Sequence, residues 1–273
     1  QMASKLAKSL KKMKKFSVVL FVLVLLTNTS LVKAQSACCG LDIVGGMLLE
    51  SGIYGGYGAQ QFSAKGFNDY IKVYNDNRPA LTKKMDDFGF AHGWKVGANI
   101  LQFQDDDMLY GINFFYQQTQ EKHEATATLT NNIPAKREYA LTLISYGFGV
   151  SFAYVISNSF DFKIADIKMN WNNAKLVNKY TEGTNPTTEQ TLKSPEASIG
   201  GQISTGIVYY PFPPYISLEA NVGYSYFTID QMQFESGQYL VQNENSSEQM
   251  ENFIDGGGFF AFAQLNIAIP IFQ

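Results

Sequence analysis

Residues 139–156, YALTLISYGFGVSFAYVI, alternate between two kinds of side chain along their whole length. One register is almost wholly apolar and aromatic and includes Ile144, Tyr146 and Phe148. The other register narrows to glycine, serine and alanine toward its end, from Ser145 to Ala153. Successive side chains of a β-strand point to opposite faces, so this segment predicts a strand with one bulky apolar face and one small, weakly polar face.

The same period-two pattern recurs along the chain and predicts eight β-strands. The fifth strand is less regular, because its alternation changes register near Ile164, which indicates a β-bulge. The predicted strands lie at 47–60, 87–102, 107–121, 138–155, 159–173, 197–210, 215–234 and 256–272.

The connections between these strands alternate in length. Tight turns at 104–107, 157–160 and 211–214 follow strands two, four and six, whereas the other connections run to roughly 16–26 residues, as in outer-membrane barrels. The predicted fold class is therefore all-β: an eight-stranded antiparallel up-and-down transmembrane β-barrel with long outer loops and short periplasmic turns.

A barrel in a bilayer also explains the two kinds of strand face. Hydrocarbon offers no partner for backbone N–H and C=O groups, so the sheet must close on itself, with its apolar register toward lipid and its small register toward the lumen. A soluble lipocalin-like barrel would reverse the faces. The polar register here is small rather than charged, which argues against that alternative.

The first 34 residues predict export. Six lysines precede the apolar run Phe16–Leu26, and LVKA then places Val32 and Ala34 at the positions of a signal-peptide cleavage site. A membrane anchor would need about 20 apolar residues. A lipoprotein linkage through Cys38 is disfavoured by Gln35, which stands where a lipobox has leucine. The predicted organisation is a signal peptide at 1–34, a short periplasmic segment at 35–46 and a barrel domain at 47–273.

The charge and cysteine content narrow the function classes. Seven of the 21 basic residues and none of the 24 acidic residues lie in 1–34, so the exported chain has 14 basic against 24 acidic residues, a net charge of −10. Nucleic-acid binding is therefore not expected. The two cysteines, Cys38 and Cys39, are adjacent, so no disulfide framework is expected.

The C-terminal segment LNIAIPIFQ ends on an aromatic residue, Phe272, followed by Gln273. With the barrel pattern over 47–273, the chain resembles small outer-membrane β-barrel proteins of the OmpA/OmpX type. Its acidic, aromatic-rich sequence and A-Q cleavage site resemble those of Bacteroidota. The resemblance implies localisation in the outer membrane, contact with its lipid and lipopolysaccharide, and insertion by the barrel-assembly machinery through the strand ending at Phe272.

The lumen register contains charged residues, which are candidates for a functional network. Lys95, Asp161, Lys163 and Glu219 fall on that register, and Glu50 is a fifth candidate. Unpaired buried charges are costly, so these groups are expected to pair. Two interpretations stay open: a structural plug of salt bridges, which we favour, or a gate over a small channel.

No catalytic, cofactor or metal site is predicted. His123 is next to Glu124, but adjacent strand residues point to opposite faces, and no serine stands two residues away. His92 falls on the lipid-facing register near its outer end. Asp105–Asp107 is predicted to be a turn rather than a cation site.

Two outer loops have patterns of their own. FNDYIKVY places Phe67, Tyr70, Ile71 and Tyr74 at helical spacing, which predicts a short amphipathic helix that either caps the barrel or docks on a partner, with capping favoured. The loop 235–255 is acidic and is interpreted as solvated, or as binding divalent cations that bridge to lipopolysaccharide.

The predicted function is a non-enzymatic structural or surface-interaction barrel. The alternatives are a narrow porin-like channel for small solutes and a barrel subunit of a larger envelope or secretion complex.

Overall fold

The computed structural model describes residues 51–243 and 245–268, apart from the side chain of residue 131. The predicted signal peptide, the 35–46 segment, Glu50 and Phe272 lie outside these ranges. No helix within them is long and apolar enough to span a bilayer. The elements are β1 (Gly52–Gln61), α1 (Lys65–Asp76), β2 (Leu81–Lys83), β3 (Phe90–Asp105), β4 (Met108–Thr128), a 3-10 helix (Thr130–Asn132), β5 (Pro134–Ser157), β6 (Phe160–Glu182), β7 (Thr188–Lys193), β8 (Ser198–Phe212), β9 (Ile216–Tyr226), β10 (Gln233–Phe234) and β11 (Phe259–Ala268).

Eight of these strands close into one antiparallel barrel. The order around the barrel is β1–β3–β4–β5–β6–β8–β9–β11, and β11 pairs back with β1 from Gly52↔Ala268 to Gln60↔Phe260. The short strands β2, β7 and β10 extend the sheet by pairing with β4, β6 and β7 respectively. The predicted eight-stranded antiparallel up-and-down barrel is confirmed.

The two faces of the wall follow the predicted registers. On β8, Ile203 and Ile207 are each 55% exposed, whereas Gln202 and Ser204, on either side of Ile203, are buried. On β5, Tyr146 and Phe148 are likewise exposed on the outer surface. A closed sheet that exposes its large apolar side chains and buries its polar ones matches hydrocarbon outside and a packed polar lumen inside, which is the transmembrane barrel arrangement.

Aromatic residues form a band around part of the outer wall. Tyr116, Tyr146 and Trp171 stand directly opposite one another on β4, β5 and β6. The rings of Tyr146 and Trp171 are stacked at 6.0 Å, and Trp94 stacks on Tyr116 at 5.3 Å. Tyrosine and tryptophan prefer the membrane–water interface, so this row, which we call the aromatic band, marks one edge of the apolar belt.

The three strands β4, β5 and β6 continue well beyond the aromatic band, which differs from the predicted boundaries. The connection predicted at 122–137 shortens to residues 129–133, and β6 runs on to Glu182. Their backbones stay paired because the inward side chains, such as Ala125 and Leu176, are buried against the loops above the lumen. Conversely, the predicted strand 215–234 ends at Tyr226, and the chain beyond it buries Phe227, Ile229 and Met232.

Three tight turns join the barrel strands at the opposite end. They lie between β3 and β4, between β5 and β6, and between β8 and β9. In the first, Asp106 adopts a positive φ of 51°, and the N–H of Val155 donates to the carbonyl oxygen of Asp107. The interpretation of Asp105–Asp107 as a turn is confirmed.

Candidate functional site in the barrel interior

The lumen at the level of the apolar belt is filled by ionic and amide side chains from β3, β4, β6, β8, β9 and β11. A β-bulge in β6 decides which charges enter it. Ile164 is skipped in the ladder with β5, where Phe152 pairs with Ala165 and Ala153 with Lys163. The inward register therefore changes from odd to even residue numbers. The bulge predicted near Ile164 is confirmed, and it brings both Lys163 and Asp166 to the lumen.

Glu219 on β9 is the central acceptor of this network. Its Oε1 accepts a hydrogen bond from Nζ of Lys163 at 2.5 Å and from the amide of Asn221 at 3.3 Å. Its Oε2 accepts from the amide of Gln264 at 3.1 Å. Glu219 is 5% exposed, and its charge is compensated by the largely buried ammonium of Lys163 and by two amide donors.

Asp166 and Lys168 form a second ion pair that the sequence interpretation missed. Nζ of Lys168 donates to Oδ2 of Asp166, and Nζ of Lys163 lies 3.8 Å from the same oxygen. Asn113 donates to the other oxygen at 3.4 Å. If the change of register at Ile164 is carried on to the end of the strand, the alternation of side chains predicts both residues on the lumen face.

Lys95 is placed differently from the other predicted network members. It is 1% exposed, yet within the described residues its Nζ has no carboxylate within 4.0 Å. The ammonium group instead lies over aromatic rings, 4.4 Å from the centroid of Phe262 and 5.6 Å from that of Phe115. Cation–π attraction of this kind strengthens when both partners are removed from water.

Asp161 lies apart from this cluster, near the tight-turn end of the barrel. Its Oδ2 accepts a hydrogen bond from the hydroxyl of Tyr210 at 2.7 Å. Asp161, Lys163 and Glu219 also line a cavity of about 50 Å³ at that end. The structure therefore brings Lys163 and Glu219 together and places Asp161 close to them. Glu50 lies outside the described residues.

An apolar cluster, which we call the outer cap, closes the opposite end of the lumen. At its centre Phe67 of α1 is fully buried, with ring centroids 5.0 Å from Phe88, 5.6 Å from Tyr139 and 4.8 Å from Phe253. These rings come from separate parts of the chain, so the cap ties two loops to the barrel wall. Its buried members are Phe62, Ala64, Phe67, Tyr70, Ile71, Tyr74, Met85, Phe88, Ala91, Ala125, Tyr139, Leu141, Leu143, Ala174, Leu176, Leu192, Phe227, Ile229, Met232, Leu240, Met250, Phe253 and Ile254.

Helix α1 is fastened to the cap by two asparagines. Asn68 accepts a hydrogen bond from the N–H of Phe88 and donates one to its carbonyl oxygen, both at 2.8 Å. Asn75, two turns later, makes the same pair of bonds with Met85 at 3.0 and 2.9 Å. The predicted amphipathic helix is confirmed. Its apolar face is buried inside the chain, as capping requires.

The acidic loop 235–255 is only partly solvated. Leu240, Met250, Phe253 and Ile254 are buried in the outer cap, while acidic residues such as Glu251 remain exposed. The apolar residues spaced through the acidic segment are the signal that could have indicated this role.

Asp255, at the end of that loop, contacts the start of α1. Its Oδ1 accepts a hydrogen bond from the N–H of Lys65 at 3.2 Å. Burial alone would raise the pKa of the Asp255 carboxyl, but hydrogen bonds from the Ser63 hydroxyl and the Lys65 amide outweigh it and hold the pKa below its ordinary value.

The two histidines make local contacts on the wall. Nε2 of His123 lies 2.8 Å from Oε1 of Glu121, two residues earlier on the same face, rather than beside Glu124. Nδ1 of His92 lies 2.5 Å from the hydroxyl of Tyr57 on the outer surface. Among the described residues there is no group of three His, Cys, Asp or Glu side chains arranged to hold a metal ion.

Comparison with known proteins finds solved structures that are similar only at low identity and low TM-score. No protein-family model matches the chain, and no curated protein sequence matches it. The solved structure of Ail, the attachment invasion locus protein of Yersinia pestis, is 12% identical, covers 81% of this chain and 99% of that chain, and has a TM-score of 0.34. Neisserial surface protein A is 10% identical, with coverages of 80% and 96% and a TM-score of 0.33. The outer membrane protease OmpT from Escherichia coli is 10% identical, with coverages of 81% and 95% and a TM-score of 0.37.

The strand ladders themselves establish the fold. The predicted resemblance to small eight-stranded outer-membrane barrels is confirmed at that level by the closed antiparallel ring from β1 to β11. The resemblance to proteins of Bacteroidota stays a prediction.

Proposed function

We propose that this protein is a non-enzymatic outer-membrane barrel whose lumen is closed by its own side chains and whose outer cap and hairpins face the cell surroundings. The observation that carries the proposal is that two layers of side chains fill the interior of the barrel. The ion pairs of Glu219 with Lys163 and of Asp166 with Lys168 occupy the belt level, and the outer cap fills the level above.

Placement in the outer membrane is supported by the outer surface. Large apolar side chains are exposed on all eight barrel strands, for example Ile53 on β1, Phe114 on β4 and Val222 on β9. In water such an apolar surface would promote aggregation, whereas in a bilayer it contacts the hydrocarbon of the lipids. Outer-membrane lipid, lipopolysaccharide and the barrel-assembly machinery are the partners that this placement implies.

The first experiment tests membrane placement. The folded protein should sediment with outer membranes, should begin at Gln35, and should run faster on SDS gels before boiling than after it. The closed ladder resists detergent until it is heated, which explains the mobility shift. A soluble periplasmic product would contradict the proposal.

The second experiment separates a closed lumen from a narrow channel. We expect the purified barrel to give no steady conductance in planar bilayers at neutral pH. The truncation Phe67→Ala removes the ring at the centre of the outer cap, and it serves as the matched variant that tests whether the cap contributes to closure. Stable, ohmic single-channel currents from the unaltered protein would instead favour the porin-like alternative.

A third experiment addresses a role in a larger envelope or secretion complex. In-cell crosslinking from the exposed hairpin between β4 and β5 should yield no constant high-mass product if the barrel acts alone. A reproducible stoichiometric partner would favour the complex-subunit alternative.

A further inference from the structure

Two lysines stand side by side on the outer wall, just beyond the aromatic band. Lys175 on β6 is directly opposite Lys193 on β7 in the antiparallel ladder. Both side chains are exposed, while Ala174, Leu176 and Leu192 beside them are buried against the outer cap. The two ammonium groups therefore project outward from the barrel.

The other lysines on the outer face of β4, β5 and β6 beyond the aromatic band each have a carboxylate partner. Lys122 lies 2.9 Å from Glu138, and Lys179 lies 3.2 Å from Glu189, the residue opposite it on β7. Lys136 is 2.6 Å from Glu124 and, by its hydrogen bond, holds the pKa of that carboxyl below its ordinary value.

The Lys175–Lys193 rung has no such carboxylate. Neither ammonium has one within 4.0 Å in the part of the chain that the structure describes. Like charges directly opposite in a ladder are destabilising, so an anion from outside the chain would relieve the repulsion.

The height of this rung on the barrel suggests the source of that anion. Lys175 follows Trp171 of the aromatic band by four residues on the same face, about 13 Å along the strand and about 10 Å along the membrane normal for a strand tilted by about 40°. Because long lysine side chains bend toward the interface, the ammonium groups reach the layer of lipid headgroups.

We propose that Lys175 and Lys193 form a two-ammonium clamp for a phosphate group of an outer-leaflet lipid headgroup. The inference rests on the proposed membrane placement and adds to it a defined lipid contact on one side of the barrel. The pairs Lys122–Glu138 and Lys179–Glu189 on the same wall do not take part, because each ammonium already has its own carboxylate.

The test uses the full exported chain folded in a zwitterionic detergent, with lipid A carrying its phosphates as the probe. Trp171 lies near the clamp, so its fluorescence in a Trp94→Phe background, which has no other tryptophan, reports binding. Replacement of one lysine by glutamine should weaken lipid A binding about 5-fold, and Lys175→Gln with Lys193→Gln about 30-fold. The matched control, Lys179→Gln with Glu189→Gln, removes a neutral rung of the same wall and should leave affinity unchanged.

Two further probes identify the source of the phosphate. Dephosphorylated lipid A should bind the unaltered protein as weakly as lipid A binds the double variant. Inorganic phosphate at the same concentration should not compete. Competition by inorganic phosphate, or equal lipid A affinity for the unaltered protein and the double variant, would overturn the clamp.

Folding and membrane placement are checked separately from the clamp. Lys193 lies on β7, which is outside the barrel ring. The single variant Lys193→Gln should therefore fold, and its lipid A affinity can be measured even if the double variant does not fold. Unaltered insertion into phosphatidylcholine vesicles with no loss of lipid A affinity in Lys193→Gln would refute the clamp alone. A chain that does not insert at all would refute the proposed membrane function and the clamp with it.

Discussion

The ion pair between Lys163 and Glu219 offers the sharpest test of how the lumen is held together. Glu219→Gln keeps the shape of the side chain but removes its charge, and it leaves Nζ of Lys163 without the carboxylate that lies 2.5 Å away. Breaking a buried pair from one side typically costs about 3–5 kcal/mol, because the remaining charge is uncompensated. Asp166 still lies 3.8 Å from Lys163, so we expect the lower end of that range, about 3 kcal/mol.

The double variant decides whether the two groups act as a pair. Lys163→Met with Glu219→Gln leaves neither charge behind, so much of the loss should be recovered. The free energy of unfolding is measured by urea titration in detergent micelles, and a shift in midpoint at constant slope reports stability alone. Losses that simply add in the double variant would refute the reasoning, since independent sites show no coupling.

An exposed ion pair of the same kind provides the control. The side chains of Lys179 and Glu189 are 45% and 52% exposed, and their atoms approach to 3.2 Å. Surface pairs contribute about 0–1 kcal/mol, so Glu189→Gln should shift the midpoint far less than Glu219→Gln.

Four further outcomes are expected. Ile207→Lys puts a cation on the lipid face and should cost about 2–4 kcal/mol near the bilayer midplane, measured by urea unfolding in vesicles; no loss would mean that this face does not meet lipid. Phe67→Ala should cost about 3–5 kcal/mol, because a fully buried ring leaves a cavity in the outer cap; near-native stability on the same assay would contradict its central place there. Lys95→Met should be neutral or stabilising by urea titration, since Lys95 has no close carboxylate among the described residues and lies on aromatic rings; a loss above about 3 kcal/mol would indicate an ionic partner. Asp255 has a pKa below its ordinary value, so its stabilising contribution is present above about pH 4 and is lost as the pH falls through the lower folded pKa. As the pH falls through this range, protection of the Lys65 amide hydrogen against exchange should decrease in the unaltered protein. In Asp255→Asn the same fall in pH should leave that protection unchanged.

Much of the fold could be read from the chain because strand faces are a local property. Side chains alternate at period two wherever the backbone is extended, so the apolar register containing Tyr146 and Ile207 predicted the outer surface without knowledge of any neighbour. Even the bulge at Ile164 was visible as a break in that alternation. Strand number, tight turns and the helix around Phe67 followed in the same way.

The contacts of the lumen and the cap were decided only by the tertiary structure. Lys163 and Glu219 are 56 residues apart, and whether their side chains meet depends on the stagger of β6, β8 and β9 around the ring. Lys95 lies on the same inner face, yet its ammonium group is among the rings of Phe115, Phe260 and Phe262, which come from two different strands. The apolar residues of the acidic loop, such as Phe253, likewise belong to the cap through a tertiary contact, since the ring of Phe253 lies 4.8 Å from that of Phe67 on α1. Period-two alternation states which side of the wall a residue occupies, whereas its partner across the lumen is set by strand tilt, stagger and side-chain length, which are properties of the closed barrel as a whole.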